Sequence, residues 1–514
     1  MLSITTPIST EPCPAPFNMA AYVLAAGTAT PDKIALQVLR LTGAERWSYA
    51  ALTRAVRAIG TGFLQSGFTP GDRVLLRLGN SVDFPLAFLG ALAVGLVPVP
   101  TSAQLTAPEI TAMAAQLDPM LVVAAPGIAL PEHPAPVIAA ETLRGWQALP
   151  PCDWHLGSPD RLAYMIFTSG SSGRPRAVMH AHRAVWARRM MWRGWYGLTA
   201  EDRLLHAGAF NWTYTLGTGL MDPWAIGATA LIPDASVEAA QLPLLLKRFD
   251  ATIFAAAPGV YRQLLKMPVP PLPRLRHGLS AGEKLPDIVR ETWVKATGTP
   301  IYEALGMSEV STYVSASPDR PAPEGTAGYP QSGRRVAVLG EDGTPVPRGE
   351  GGELAVGADD LGLFLGYWRA EEETRARLRD GWFHTGDTAL MEEDGAIRYL
   401  GRDDDMLNAG GFRVSPMEVE RAFDALDGVQ ESAAVELPVR AGVSVIGLFY
   451  VPKVTALDEE ALAAHASATL ARYKQPRLYI ATDSLPRGAN NKLNRRMLRE
   501  SWPAQAARKP EGPA

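Results

Sequence analysis

Between about residues 30 and 330 the chain alternates short runs of consecutive apolar residues with longer stretches whose apolar positions recur at helical spacing. The runs "DRVLLRL" at 72–78, "MLVVAAP" at 120–126, "LAYMIF" at 162–167, "ATALIP" at 228–233 and "ATIFAAAP" at 251–258 are bounded by turn residues and predict buried strands. Strands that alternate with helices predict an α/β architecture with largely parallel sheets. The longest apolar run, Phe84–Pro100, is broken by Pro85, Gly90, Gly95 and Pro98. It therefore predicts a buried helix leading into a strand, not a membrane span or anchor.

The pattern changes near Gly325. From Arg334 to Trp368, and again from Asp380 to Asp405, short strand-like runs are separated by Gly and Pro turns, as in an antiparallel sheet or small barrel. "EEDGA" at 392–396 is a hairpin turn. Beyond Asp405 the helix "SPMEVERAFDAL" and the strands "ESAAVEL" and "VIGLFYV" predict a compact α+β unit of ordinary domain size. The predicted organisation is a large N-terminal domain over 1–402, built of two α/β subdomains plus a small β-barrel-like subdomain at about 325–402. A hinge follows at 403–405, then a mobile α+β C-terminal domain over 406–501 and a disordered tail over 502–514.

Composition narrows the function classes. The chain has 514 residues, 47% of them hydrophobic and 20% charged, with a formal net charge of −4. Its cations are spread along the whole length, which leaves no field to hold nucleic acid. Only Cys13 and Cys152 are present, too few for a disulfide framework or a thiolate zinc site, and this points to a reducing compartment, the cytoplasm. The N-terminus has neither the basic flank nor the apolar centre of a secretory signal. His180 and His182 form an isolated pair, read as residues at the start of the following helix instead of as metal ligands.

The stretch "IFTSGSSGRPRAVMH" at 166–180 runs a strand into a loop of hydroxyls and glycines and then into arginines. Glycines let backbone amides approach an anion, and hydroxyls and guanidinium add donors, so phosphate is the expected guest. The loop lacks the Gly-Lys-Ser/Thr of the common nucleotide loop. It resembles instead the phosphate loop of the adenylate-forming superfamily, which includes acyl-CoA synthetases, luciferases and peptide-synthetase adenylation domains. Five more segments match in family order: "SAGEKLP" at 280–286, "LGMSE" at 305–309, "GWFHTGD" at 381–387, "YLGRDDDMLNAGGFRVSPMEVE" at 399–420 and "LPRGANNKLNRRMLR" at 485–499. The chain is thereby identified as similar to benzoate-type and medium-chain acyl-CoA ligases.

The resemblance implies a two-step reaction: a carboxylic acid and ATP give acyl-AMP and pyrophosphate, and the acyl group then passes to coenzyme A. It implies that Thr168, Ser169, Gly170, Ser171, Ser172 and Gly173 cradle the departing phosphates, helped by Arg176, which stands where the family usually has Lys. Adenine is expected against Ser280, Gly282, Glu283 and Leu305, the last replacing a frequent aromatic residue. Ser308 is expected to touch the α-phosphate and Glu309 to hold Mg²⁺. Asp387 is expected to accept from the ribose hydroxyls, with Arg402 assisting and Arg413 reaching toward the phosphates. Lys492, preceded by Asn491 where Gly is usual, is expected to bridge the carboxylate and α-phosphate oxygens. Asp404 matches the family's hinge acid, and Gly410 and Gly411 the pantetheine tunnel.

The acyl pocket is expected in "HAGAFNWTYTLGTGLMDPW" at 206–224. Asn211 stands where amino-acid-activating relatives carry Asp, which disfavours an amino acid substrate. Trp212 and Tyr214 are expected to wall an apolar slot, with depth behind Gly217 and Gly219, for an aromatic or medium-chain acid. No carrier domain follows the last motif, so coenzyme A is the expected acceptor, in a monomer or homodimer. Transfer to an acyl carrier protein, and an inactive nucleotide-binding relative, stay open as alternatives.

Overall fold

The computed structural model describes residues 1–6, 11–168, 175–402, 406–409, 412–440, 443–470, 472–488 and 493–506. It divides into two compact units. One comprises Thr5–Val336 and Val356–Phe383, the other Met1–Ile4, Ala337–Ala355 and His384–Ala514. The expected hinge at 403–405 lies outside the described residues.

In the larger unit all five apolar runs form strands, at Arg73–Arg77, Leu121–Ala124, Leu162–Thr168, Thr229–Pro233 and Ile253–Ala256. A nine-stranded sheet has six parallel strands in the order Ile301–Met307, His277–Ala281, Ile253–Ala256, Arg203–His206, Thr229–Pro233 and Ile34–Arg40. Antiparallel strands flank it, Gly43–Ser48 on one edge and Ser311–Ser315 with Tyr329–Pro330 on the other. A second, four-stranded parallel sheet contains Val97–Pro100, Arg73–Arg77, Leu121–Ala124 and Val137–Ala139. These are the two α/β layers that the alternation of strands and helices leads one to expect. The run Phe84–Pro100 resolves into the wholly buried helix Asp83–Ala93 and the buried strand Val97–Pro100. No helix among the described residues is long and apolar enough to cross a membrane.

A third sheet places Arg176–Ala181 between Leu162–Thr168 and Gly366–Tyr367, antiparallel to both. His180 lies within this sheet and not at a helix start; its ring stacks on Tyr164 with centroids 4.6 Å apart. His182 follows the strand, and its Nδ1 accepts from the Met19 amide at 3.0 Å. Both histidines are buried structural residues.

The β-rich part between 336 and 402 forms a five-stranded sheet centred on Trp382–Met391, which pairs antiparallel with Ile397–Arg402 and with Leu378–Arg379. The turn at 392–396 closes as expected, with Glu392 N–H donating to Ala396 O at 2.8 Å and Gly395 at φ +87°. Farther along, the helix Pro416–Asp424 packs Val419 and Phe423 against Leu448 and Tyr450 of the hairpin Val429–Arg440 and Val443–Pro452. The last helix, Arg495–Ala506, continues past the expected start of the tail at 502, because Leu498 and Trp502 belong to an apolar cluster and Trp502 Nε1 donates to Pro438 O at 3.0 Å.

Candidate active site

The hairpin Leu162–Thr168 and Arg176–Ala181 sets Thr168 opposite Arg176. Both are half-buried; Ser169, Gly170, Ser171, Ser172 and Gly173 lie outside the described residues. Arg176 is held twice. Its guanidinium pairs with Glu373 and lies over the ring of Tyr367, 5.4 Å from the centroid. The hydroxyl of Tyr367 donates to Glu309 Oε1 at 2.8 Å. Thus the arginine expected at the phosphates and the carboxylate expected at the metal meet the face and the hydroxyl of one tyrosine. Sequence reasoning missed Tyr367, which stands in the aromatic run "FLGYW" at 364–368, outside the six matched segments. Burial and the neighbouring Glu309 carboxylate both push its hydroxyl pKa up, so it stays a donor.

Glu309 sits at the turn Ser308–Val310 between the antiparallel strands Ile301–Met307 and Ser311–Ser315. That turn is tight: a Cβ on Gly306 would stand 2.6 Å from Ser311 O, and Ser311 itself has φ +66°. Leu305, opposite Val314, and Ser308 are half-buried beside it. Glu309 is only 8% exposed, and its backbone oxygen accepts from Phe364 N–H at 2.7 Å. Among the described residues Tyr367 alone donates to its carboxylate, so hard oxygen lone pairs remain for a divalent cation whose other ligands are phosphate oxygens. The residues present fit Mg²⁺ in that sense.

Ser280 is buried at the C-terminal end of a parallel strand, next to Glu303 on its neighbour, and its Oγ has no hydrogen-bond partner among the described residues. Gly282 turns the chain at φ +97°, and a Cβ there would stand 2.6 Å from the Trp212 ring. Glu283 is half-buried in the same bend. Leu285 N–H donates to Glu303 Oε1 at 2.9 Å, and Arg290 pairs with Glu303 at 2.8 Å. The bend is thereby pinned to the sheet.

Trp212 and Tyr214 meet edge to face at 5.2 Å, and Tyr214 stacks on Trp195 at 5.6 Å and donates to Leu279 O at 3.2 Å. Asn211 is half-buried beside them. The depth expected behind the two glycines is taken up. A Cβ on Gly217 would stand 2.2 Å from Arg188 Cζ, and one on Gly219 would stand 2.9 Å from His206 Cβ. Arg188 is itself buried, bonded to Asp222 at 2.6 Å, to the Tyr196 hydroxyl at 3.0 Å and to Ser311 Oγ at 2.5 Å. The glycines make room for this network and for an imidazole, not for a long acyl chain.

In the smaller unit Asp387 lies on Trp382–Met391 directly across from Arg402. It is 5% exposed, 3.5 Å from the Arg402 guanidinium, and accepts from the Tyr399 hydroxyl at 3.2 Å. Thr385 Oγ1 donates to Leu354 O at 2.6 Å and accepts from the Asp387 amide at 3.1 Å, which fixes the strand under the carboxylate. Position 413 pairs with 408 in a two-stranded ribbon. The Arg413 side chain, Gly410, Gly411, Asp404 and Lys492 lie outside the described residues.

A family model described as "AMP-binding enzyme" matches residues 24–368, and one described as "AMP-binding enzyme C-terminal domain" matches residues 418–492. The chain belongs to the AMP-binding enzyme family. Within it, the chain is 30% identical over 494 residues to the 3-hydroxybenzoate–CoA/4-hydroxybenzoate–CoA ligase of Thauera aromatica, covering 88% of this chain and 91% of that one. Its fold matches a benzoate CoA ligase from Burkholderia xenovorans LB400 with a TM-score of 0.83 at 28% identity, over 94% of this chain and 100% of that one. It also matches ATP-bound MatB from Rhodopseudomonas palustris, with a TM-score of 0.85 at 26% identity over 95% and 99% of the two chains. The superfamily resemblance carried by the six segments is therefore borne out along both matched regions.

Proposed function

We propose that this protein is an ATP-dependent ligase that joins an aromatic carboxylic acid to coenzyme A. It is an enzyme, an AMP-forming acid–thiol ligase. The acid's oxygen attacks the α-phosphorus of ATP, the bond to the pyrophosphate oxygen breaks, and acyl-AMP forms. The thiol sulfur of coenzyme A then attacks the acyl carbon, AMP leaves, and the thiol proton passes to solvent.

The observation that carries this reading is the chain Arg176–Tyr367–Glu309: a buried carboxylate held by one donor, beside a cation fixed over the same ring. Such preorganised charge is what displacement at phosphorus requires. In this reading Glu309 holds Mg²⁺, which when bound neutralises phosphate charge; Thr168 to Gly173 and Arg176 hold the phosphates, Ser308 the α-phosphate, and Asp387 with Arg402 the ribose. Ser280, Gly282, Glu283 and Leu305 contact adenine, Arg413 turns to the phosphates, and Lys492 bridges the reacting oxygens. Asp404 serves as hinge and Gly410 and Gly411 admit the pantetheine arm. The filled space behind Gly217 and Gly219 favours a flat aromatic acid over a medium-chain one. Two unpaired cysteines suit the cytoplasm.

The test is pyrophosphate release from MgATP against a panel of acids, with thioester read by mass spectrometry. Release should require an acid, and acyl-CoA should appear only when coenzyme A is present. Release without thioester would point to a carrier-protein acceptor, and no release across the panel would point to an inactive relative.

A further inference from the structure

Arg188 and Asp222 are both buried, yet the guanidinium does more than meet the carboxylate. Its Nε donates to Asp222 Oδ1 at 2.9 Å, and its Nη2 donates to Asp222 Oδ2 at 2.6 Å and to the Tyr196 hydroxyl at 3.0 Å. That leaves Nη1, whose hydrogen-bond partner among the described residues is Ser311 Oγ at 2.5 Å. Asp222 already neutralises the charge, so this third corner of the rigid fork supplies direction and not compensation. Gly217 makes the reach possible, since any side chain there would meet the guanidinium.

Ser311 is a residue that needs holding. It has φ +66°, in the left-handed region that serine rarely occupies. The other described non-glycine residues at positive φ, Asp118, Asp250, Arg369 and Asp380, are exposed, whereas Ser311 is half-buried. Such a conformation persists only where the surroundings over-determine it. Ser311 pairs with Met307 across the turn Ser308–Val310, so its placement sets the path of the three residues between them. Glu309 is the middle one, with its carboxylate held by the Tyr367 hydroxyl and its backbone oxygen by Phe364 N–H. Arg188 adds a third hold, on the residue that closes the turn.

We infer that Arg188 is a positioning residue for the metal site: through Ser311 Oγ it fixes the turn that presents Glu309 to Mg²⁺. This deepens the ligase reading and rests on the role which that reading gives Glu309. Mg²⁺ tolerates little departure from octahedral geometry, so a carboxylate that shifts with its turn loses affinity for the ion even while Tyr367 still donates to it.

The test measures the Kd of ATP on the full chain by calorimetry, with Mg²⁺ and with EDTA, alongside urea midpoints and acid-dependent pyrophosphate release. Wild type should bind ATP about tenfold more tightly with Mg²⁺, or better. Ser311→Ala keeps the Arg188–Asp222 pair and should bring the ratio of the two Kd values toward one, with affinity in EDTA unchanged. Ser311→Gly accepts the positive φ without strain and should lose the ratio equally, because it too lacks the hydroxyl. Arg188→Lys combined with Ser311→Ala should be no worse than the weaker single variant, since both remove one contact; if the lysine variant does not fold, the two Ser311 variants decide. The inference is overturned by a wild type whose ATP affinity Mg²⁺ does not change, by a ratio that persists in Ser311→Ala, or by equal weakening with and without the ion. It is also overturned by a Ser311→Gly that keeps the ratio, which would make backbone strain and not Arg188 the determinant. A ratio that depends on Ser311, without acid-dependent pyrophosphate release, would sink the ligase reading and leave the positioning role standing.

Discussion

The single hydrogen bond from Tyr367 to Glu309 joins an aromatic residue outside every recognised motif to the carboxylate that the motif reading places at the metal. A hydrogen bond to a charged acceptor contributes about 1.5–3 kcal/mol, so Tyr367→Phe should lower kcat/KM for MgATP about ten- to hundredfold and move the Mg²⁺ titration to higher concentration. An unchanged Mg²⁺ midpoint would show that the tyrosine does not position the carboxylate. Asp222 presents a different case, because its side chain is 1% exposed and its partner Arg188 is 8% exposed. Asp222→Asn leaves a buried guanidinium uncompensated, which typically costs about 3–5 kcal/mol. A urea midpoint within error of wild type would contradict that. None of these partners could be found from spacing, since Arg188 meets Asp222 across 34 positions and Ser311 across 123.

At the scale of elements, the strands were legible because burial on both faces writes itself as a continuous apolar run, as in Leu121–Ala124 and Ile253–Ala256. The π-helical segments Trp192–Tyr196 and Thr215–Met221 were not, because a segment of about one wide turn is too short to repeat a hydrophobic period. Yet these two segments present Tyr196, Gly217 and Thr218 to Arg188. Histidines on strands carry a second consequence. His180 and His206 lie on Arg176–Ala181 and Arg203–His206, His182 follows the first, and burial lowers each from 6.5 to about 3. Between those values the unfolded chain binds protons that the native protein refuses, so stability is full above pH 6.5 and falls as pH drops toward 3. The slope is about 1.4 kcal/mol per pH unit for each histidine. The urea midpoint should therefore decrease from pH 7 to pH 5, and His180→Gln should flatten that decrease. A pH-independent midpoint over this range would mean that the native protein protonates these rings.

For the whole molecule, function was legible further than geometry, because six short segments in family order identify the chemistry while individual pockets depend on contacts between distant positions. The acyl pocket shows the limit: Gly217 and Gly219 suggested depth by composition, but Arg188 and His206 fill it. Lys492 is the opposite case, a role implied by resemblance for a residue outside the described part of the chain. An ammonium that bridges two oxygens while charge develops at phosphorus acts in the first half-reaction and has nothing to stabilise in the second. Lys492→Ala should therefore lose acid-dependent pyrophosphate release by a hundredfold or more, about 2.7 kcal/mol of transition-state stabilisation, yet still convert supplied acyl-AMP and coenzyme A to thioester at near wild-type rate. Both steps are measured on the same preparation, so loss of fold lowers both together and loss of the bridging charge lowers only one. Equal loss in a variant that melts like wild type would remove Lys492 from the adenylation step, and would leave Arg176, held over Tyr367, as the cation to test next.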